Sequence, residues 1–120
     1  MDIEGGNDFA YLAGRFNLVS GAIHRCIAQV QLGGTGAVTT WGLKLNNAFQ
    51  SGPLELHELE LTGSSVYAGG KGTLSDNGSV LRTNLAEIGR STGQITNWLP
   101  QPDGDVHALA LSPSGSTMFV

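Results

Sequence analysis

An internal repeat is the feature that most constrains how this chain can fold. Three elements occur twice in the same order, at a sequence offset of 57 or 58: Ile27-Ala28 and Leu85-Ala86, Thr35-Gly36 and Thr92-Gly93, and Trp41 and Trp98. A nearly constant offset across separate elements indicates one supersecondary unit that is copied along the chain. The sequence therefore predicts two related structural units.

The composition indicates what kind of structure is copied. The 120 residues include 18 glycines, 40% are hydrophobic and only 13% are charged, a balance typical of short strands joined by tight turns. A chain of this length can form the core of one small domain at most. We therefore predict an all-β chain.

The predicted strands are short apolar or alternating runs that end at glycine or at polar residues. They cover residues 9–14, 25–30, 37–41, 54–61, 66–70, 106–111 and 118–120. Residues 1–8 are predicted to be a flexible lead-in, and residues 15–24, 46–53 and 71–79 are predicted to be loops. Turns are predicted at residues 32–36, 62–65 and 112–116, where glycine, serine, threonine and proline cluster.

The segment LELHELEL at residues 54–61 is ambiguous by itself. Leucine and glutamate favour a helix by propensity, whereas the alternation of apolar and polar residues favours a strand. The second copy, residues 106–111, keeps His107 at an offset of 50 from His57, together with both following leucines. Because the second copy has the composition of a strand, we predict strands in both places.

Each copy thus contains four short strands in about 50 to 57 residues, which is typical of one propeller blade. We predict a β-propeller fragment of two four-stranded antiparallel blades and the first strand of a third. The repeats cover residues 9–65 and 66–117, and the third begins at 118–120. Repeat arrays need about three units or more, so further blades are expected in cis or in trans. A fragment of a longer chain is favoured over self-closure, because residues 118–120 would occupy the place of a neighbour's first strand.

Several positions carry a resemblance to a known repeat. The segments Val66-Tyr67-Ala68-Gly69-Gly70, Asn84-Leu85-Ala86, Thr92-Gly93 and Trp98-x-Pro100 resemble the bacterial delta-60 repeat and, more distantly, kelch and quinoprotein propellers. The resemblance implies structural roles for the repeat positions Tyr11, Gly14, Thr35, Gly36, Trp41, Tyr67, Gly69, Gly70, Thr92, Gly93, Trp98 and Pro100. The first copy departs from it, with Lys44 and Leu45 where Pro100 and its neighbours would fall.

Four polar residues are candidates for the lining of a central channel. His57 and His107 recur at one register, and Glu58 and Glu60 replace small residues of the other copy. A recurring histidine is more often a packing position than a ligand, and carboxylates on such a strand must lie at an edge, in solvent or in ion pairs. An edge or channel lining is therefore favoured over an acid–base pair.

No cofactor is predicted. Asp76-Asn77-Gly78 and Asp103-Gly104-Asp105 bring acidic side chains and glycine together as calcium loops do, but both are ordinary turn sequences without further acidic ligands. The single cysteine, Cys26, is predicted to be a buried thiol. The net charge of −4 and the six scattered basic residues argue against nucleic acid or a membrane surface as a partner.

These observations favour a non-catalytic module for binding or scaffolding, part of a longer extracellular or cell-surface protein with a protein or glycan ligand. No signal peptide is predicted at the N-terminus. Two other functions stay open. The resemblance to quinoprotein dehydrogenases implies part of a propeller oxidoreductase with quinone and calcium, and a small oligomeric propeller would bind sugar.

Overall fold

The computed structural model describes residues 2–5, 9–14, 18–19, 22–23, 26–32, 36–42, 45–47, 55–76, 80–100, 102, 104–112 and 118–120. Its strands, in chain order, are β1 (Asp2–Gly5), β2 (Phe9–Ala13), β3 (Leu18–Val19), β4 (Ala22–Ile23), β5 (Ile27–Gln31), β6 (Leu45–Asn47), β7 (Glu55–Leu61), β8 (Ser65–Asp76), β9 (Val80–Gly89), β10 (Ala110–Leu111) and β11 (Met118–Phe119). The described residues contain no helix. The all-β prediction is confirmed.

The first sheet is formed by the first half of the chain, residues 2–42. Its strand order is β1-β2-β5, all antiparallel, and a bridge between Val30 and Val38 continues it. Alternate side chains of β2 point into the core, because a strand directs successive residues to opposite faces. Tyr11 and Ala13 are buried there, and both lie opposite β5, Tyr11 opposite Gln29.

The second sheet is formed largely by residues 55–100, which we call the second half. β8 is its central strand and pairs with β7, with β9 and, near its end, with β6. A bridge between Ile88 and Ile95 continues it as the bridge at Val38 continues the first sheet. Two smaller antiparallel hairpins, β3-β4 and β10-β11, complete the described strands.

The backbone conformations of the two halves recur at the offsets of the sequence repeat. Cys26 and Asn84, related by an offset of 58, have left-handed φ angles of 69° and 68°. Gly36 and Gly93, related by an offset of 57, have φ angles of 68° and 67°. A left-handed φ is rare outside glycine, so its recurrence at equivalent positions is a specific likeness in the chain path.

Several predicted segments are corrected by the structure. β8 extends to Asp76 through most of the predicted loop at 71–79, because pairing with both β6 and β9 satisfies its backbone. β1 lies in the predicted lead-in, the hairpin β3-β4 in the predicted loop at 15–24, and β6 at the start of the predicted irregular segment at 46–53. Only a bridge at Val38 and the short β10 form within the predicted strands at 37–41 and 106–111.

Two other predicted segments are confirmed. Glu55–Leu61 is a strand, as the alternation predicts, and its antiparallel partner is β8. The turn at 62–65 forms, with the Ser65 carbonyl accepting from the Thr62 amide at 2.9 Å. Leu54, the predicted turn residues 33–35 and 113–116, and residues 48–53 lie outside the described residues.

The core joins the two halves. Its main cluster includes Tyr11, Ile27, Trp41, Leu56, Leu59, Val66 and Ile88. A smaller cluster of Leu85, Val106 and Leu109, with Tyr67, Trp98 and Met118 packed against it, contains residues at the repeat offsets from Ile27, Leu56, Leu59, Tyr11 and Trp41. The aliphatic positions are therefore buried in both copies, whereas the tyrosine and the tryptophan are buried in the first copy and only half-buried in the second.

Candidate functional site

A tyrosine–tryptophan pair occurs in each half with the same geometry. The rings of Tyr11 and Trp41 meet edge to face, with centroids 5.0 Å apart and an interplanar angle of 76°. The rings of Tyr67 and Trp98 meet in the same way at 5.2 Å and 87°. Edge-to-face contact is a favoured arrangement of aromatic rings. The four aromatic repeat positions predicted from the sequence are therefore brought together in two equivalent pairs.

A threonine positions each tryptophan. In the first half, the Trp41 amide donates to the Thr39 hydroxyl at 3.2 Å, and that hydroxyl donates to Gln29 Oε1 at 2.6 Å. In the second half, the Trp98 amide donates to the Thr96 hydroxyl at 3.3 Å, and that hydroxyl donates to Glu87 Oε1 at 2.5 Å. The two networks differ in one chemical group, an amide in the first half and a carboxylate in the second.

The carboxylate changes the protonation of its neighbours. Burial acts to raise the pKa of Glu87, but hydrogen bonds from Thr96, Tyr67 and Ser65 outweigh it, and the pKa lies below its usual value. Burial, the hydrogen bond to Glu87 and the charge of Glu87 raise the pKa of Tyr67 to about 12. The Tyr67 hydroxyl therefore stays protonated over the ordinary pH range and donates a hydrogen bond to the Glu87 carboxylate.

The raised pKa of Tyr67 makes the stability of the fold depend on pH. An unfolded tyrosine loses its proton near the ordinary pKa of 10.0, whereas the folded chain holds it to about 12, so the free energy of unfolding decreases as pH rises between these values. We expect Tyr67→Phe to remove this decrease in stability between the two pKa values. Denaturant unfolding at a series of pH values measures the difference. Equal alkaline slopes in the wild type and the variant would contradict the assignment.

The two halves are joined through Trp41. Its indole Nε1 donates to the Gly89 carbonyl at 3.0 Å, 48 residues along the chain. A Cβ atom built at Gly93 would lie 3.3 Å from Trp41 Cδ1 and 3.1 Å from the Gly42 nitrogen, so a glycine lets the second half approach the indole closely. We call the contact of Trp41 with Gly89 and Gly93 the junction.

A groove runs along the junction. It has a volume of about 690 Å³ and is lined by Phe9, Gln29, Gln31, Thr39, Thr40, Trp41, Gly42, Arg90, Ser91, Thr92, Gly93 and Gln94. A second cavity of about 330 Å³ shares Phe9, Gln29, Arg90 and Ser91 with it and also reaches Tyr11, Gly63 and Ser64. Amides, hydroxyls and one guanidinium thus supply the polar groups, a set suited to holding a ligand by hydrogen bonds.

Arg90 lies where the two cavities meet. Its Nε donates to the Tyr11 hydroxyl at 3.2 Å, and its Nη1 donates to the Thr62 carbonyl at 2.8 Å. The guanidinium carbon lies 5.6 Å from the centroid of the Tyr11 ring, within the range of a cation–π contact. Its hydrogen-bond partners are therefore neutral groups, and Arg90 lines both cavities.

The predicted channel residues lie apart from the groove. The rings of His57 and His107 stack, with centroids 5.5 Å apart and an interplanar angle of 22°. Glu58 and Glu60 are half-buried on β7, which in the described residues pairs with β8 alone. Whether these carboxylates and histidines line an edge or a channel stays a prediction.

The other predicted positions are placed as follows. Gly14 follows β2 and Gly70 lies within β8, and their carbonyls accept hydrogen bonds from the amides of Leu56 and Val106. Gly69 packs against Val106, and Pro100 is half-buried. Thr92 lines the groove, whereas Thr35 lies outside the described residues.

The acidic turns considered for calcium are described only in part. The buried Asp76 carboxylate accepts from the Ile95 amide at 3.3 Å, a structural role, whereas Asn77, Gly78 and Asp103 lie outside the described residues. Among the residues that the structure describes, there is no group of three or more His, Cys, Asp or Glu side chains that could hold a metal ion. Cys26 is buried, as predicted, and is not part of a disulfide bond.

Sequence reasoning missed the polar residues of the site. Gln29 and Glu87 are related by an offset of 58, and Thr39 and Thr96 by an offset of 57, so the repeat itself is the signal that identifies them. The repeat does not identify Arg90, because the residue 58 positions earlier in the first half is Leu32.

The chain was compared with protein-family models, curated proteins and solved structures, and none of the three comparisons gave a match. The likeness between its own two halves is therefore the comparison that carries the argument. None of the described residues belongs to a helix long and apolar enough to cross a membrane.

Proposed function

We propose that this chain is a non-catalytic repeat module of the β-propeller type, in which units pack side by side and present the grooves between them for binding or scaffolding. The delta-60 resemblance and the four-strand period motivate the propeller assignment. The polar lining of the junction groove favours binding over catalysis, since it offers hydrogen-bonding amides and hydroxyls instead of a nucleophile beside a base.

The recurrence of the link between successive units is the observation that carries the proposal. The Leu56 amide donates to the Gly14 carbonyl at 3.3 Å, and the Val106 amide donates to the Gly70 carbonyl at 2.9 Å. In both places the central strand of one sheet, or the glycine that follows it, accepts a hydrogen bond from a residue of the next copy: Leu56 in β7, and Val106 ahead of β10. Stacked repeats are held by such nearest-neighbour contacts.

The second tryptophan supports the need for a further unit. Trp41 is buried and its indole nitrogen donates across the junction, whereas Trp98 is half-buried and its indole nitrogen makes no hydrogen bond with the described residues. Leu99 next to it is 57% exposed, and Phe119 is 60% exposed. A further unit, in cis or in trans, would cover this face as the second half covers Trp41.

An extended chain tests this proposal. Because Met118 to Val120 repeat Val66 to Ala68, residues 69–120 can be appended after Val120 in phase with the repeat. We expect the indole N–H of Trp98 to exchange with solvent slowly in the extended chain, as we expect of Trp41 in both chains. The control carries a glycine- and serine-rich tail of equal length. Fast exchange at Trp98 in the extended chain, with Trp41 still protected, would overturn the proposal.

A further inference from the structure

The Tyr11 hydroxyl lies in an unusual hydrogen-bonding environment. The side chain is 1% exposed, and its oxygen accepts from Gln29 Nε2 at 2.8 Å and from Arg90 Nε at 3.2 Å. A phenol also has a proton to donate, and none of the described residues accepts it. Buried donors are nearly always paired, and Tyr11 lines the second cavity, so this proton is available to an acceptor bound there.

The second half shows what kind of acceptor suits this position. There Tyr67 donates to the Glu87 carboxylate, which the amide of Gln29 replaces in the first half. The first half therefore lacks the internal carboxylate of its counterpart. In addition, it holds a positive charge at the same hydroxyl, because Arg90 stands beside it.

Arg90 has donors left for a ligand. A guanidinium has five N–H groups, and the hydrogen bonds of Arg90 to the described residues involve Nε and Nη1. Its partners are a phenol oxygen and a backbone carbonyl, neither of which neutralises the charge. The remaining nitrogen, Nη2, makes no hydrogen bond within the described part of the chain, and Arg90 lines both cavities.

The groove around this charge has the size and the lining of a small-molecule site. Its volume of about 690 Å³ falls within the range of about 300–1,000 Å³ that such sites occupy. Gln31, Thr40 and Ser91 offer amide and hydroxyl groups that are exposed to the groove, and Phe9 offers an apolar ring face. Polar groups beside an aromatic face match a polyhydroxylated ring.

We propose that the junction groove and the adjoining second cavity bind an acidic sugar, a uronate, whose carboxylate lies where the two meet and accepts hydrogen bonds from Arg90, which lines both, and from the Tyr11 hydroxyl, which lines the second cavity. The sugar hydroxyls then meet Gln31, Thr40 and Ser91. This inference rests on the proposed binding role and names the ligand class of that site. It uses the contact between the two halves of this chain alone, so no further unit is required.

The two tryptophans make the test internally controlled. Trp41 lines the groove and Trp98 does not, and the chain has no other tryptophan. In a titration of the full chain with D-glucuronate, followed by ¹H–¹⁵N NMR, we expect the indole signal of Trp41 to shift and saturate while that of Trp98 stays in place. D-Glucose, which lacks the carboxylate, is expected to leave both signals unchanged.

Two variants assign the binding to the proposed groups. Arg90→Gln is expected to weaken glucuronate binding roughly 10- to 100-fold, the usual effect of losing hydrogen bonds to a charged group. Arg82→Gln is the matched control, because Arg82 also donates to backbone carbonyls but lies outside the groove. Gln29→Glu restores the network of the second half, keeps Arg90 and is expected to abolish binding by placing an internal carboxylate at the site.

Three results would overturn the inference: no shift at Trp41, equal shifts with glucuronate and with glucose, or full binding by Gln29→Glu. The Gln29→Glu variant keeps the test decisive if Arg90→Gln does not fold. Failure here leaves the repeat-module proposal standing, since the exchange of Trp98 in the extended chain measures that proposal separately.

Discussion

Trp41→Ala is expected to lower the free energy of unfolding by about 3–5 kcal/mol, the usual range for removing a buried large aromatic side chain. Trp41 is only 8% exposed, it meets the Tyr11 ring, and its indole nitrogen bonds the Gly89 carbonyl of the other half. The substitution removes the buried ring and both of these contacts at once. Since small domains are stable by about 5–15 kcal/mol, a large part of the fold's stability would be lost. Denaturant unfolding followed by circular dichroism measures the loss.

Trp98→Ala is the matched control for this prediction. Trp98 occupies the equivalent position against Tyr67, but it is half-buried and its indole nitrogen has no acceptor among the described residues. We expect a loss of about 1 kcal/mol, the size of an aromatic pair contact. Losses of equal size in the two variants would contradict the prediction that the junction contacts make Trp41 more important for stability than Trp98.

Gly70→Ala is expected to destabilise the second sheet by about 3 kcal/mol or more, because the added methyl group meets backbone atoms that cannot move aside. A Cβ atom at Gly70 would overlap the Glu55 carbonyl oxygen and lie 2.8 Å from Leu56 Cα. This is where β7 and β8 change register, between Leu56 and Glu58. The clash would push β7 off β8 and open the link from Val106 to the Gly70 carbonyl. Thermal unfolding measures the effect.

Gly63→Ala is the control for the glycine prediction. Gly63 is exposed in the turn between β7 and β8, and a Cβ atom there would have no neighbour within 4 Å. Replacing such a glycine restricts the unfolded chain, so we expect a change within about 1 kcal/mol, toward higher stability. A Gly70→Ala protein as stable as Gly63→Ala would contradict the close approach of β7 to β8.

The equivalent positions of the two halves could be predicted from the sequence because the repeat offset is carried by separate elements. Trp41 and Trp98 were paired by that offset, and the structure gives each a tyrosine and a threonine at matching distances. The strand at Glu55–Leu61 followed in the same way, from its second copy. Periodicity alone left it undecided between helix and strand.

The grouping of strands into sheets could not be read from the offsets. An offset stays the same wherever the boundary of a unit is drawn, and the sequence placed that boundary between residues 65 and 66. In the structure β7, on one side of this boundary, pairs with β8 on the other. The loop at 71–79 was mispredicted for a related reason, since its glycine, serine and aspartate suggest a turn until two neighbouring strands supply hydrogen-bond partners.

The groove could not be predicted from the sequence either. Arg90 and Tyr11 are 79 residues apart, and their contact depends on how the second half packs on the first. A local pattern contains no information on such a contact. The difference between Gln29 and Glu87 becomes meaningful only when both are seen at the hydroxyl of an equivalent tyrosine.

The central claim is that the two halves of this chain share one arrangement around their tryptophans. Nuclear Overhauser contacts between aromatic ring protons in the full chain test it most directly. We predict contacts between Tyr11 and Trp41 and between Tyr67 and Trp98, whose ring centroids lie 5.0 and 5.2 Å apart. A spectrum with contacts in one pair and none in the other would contradict the claim.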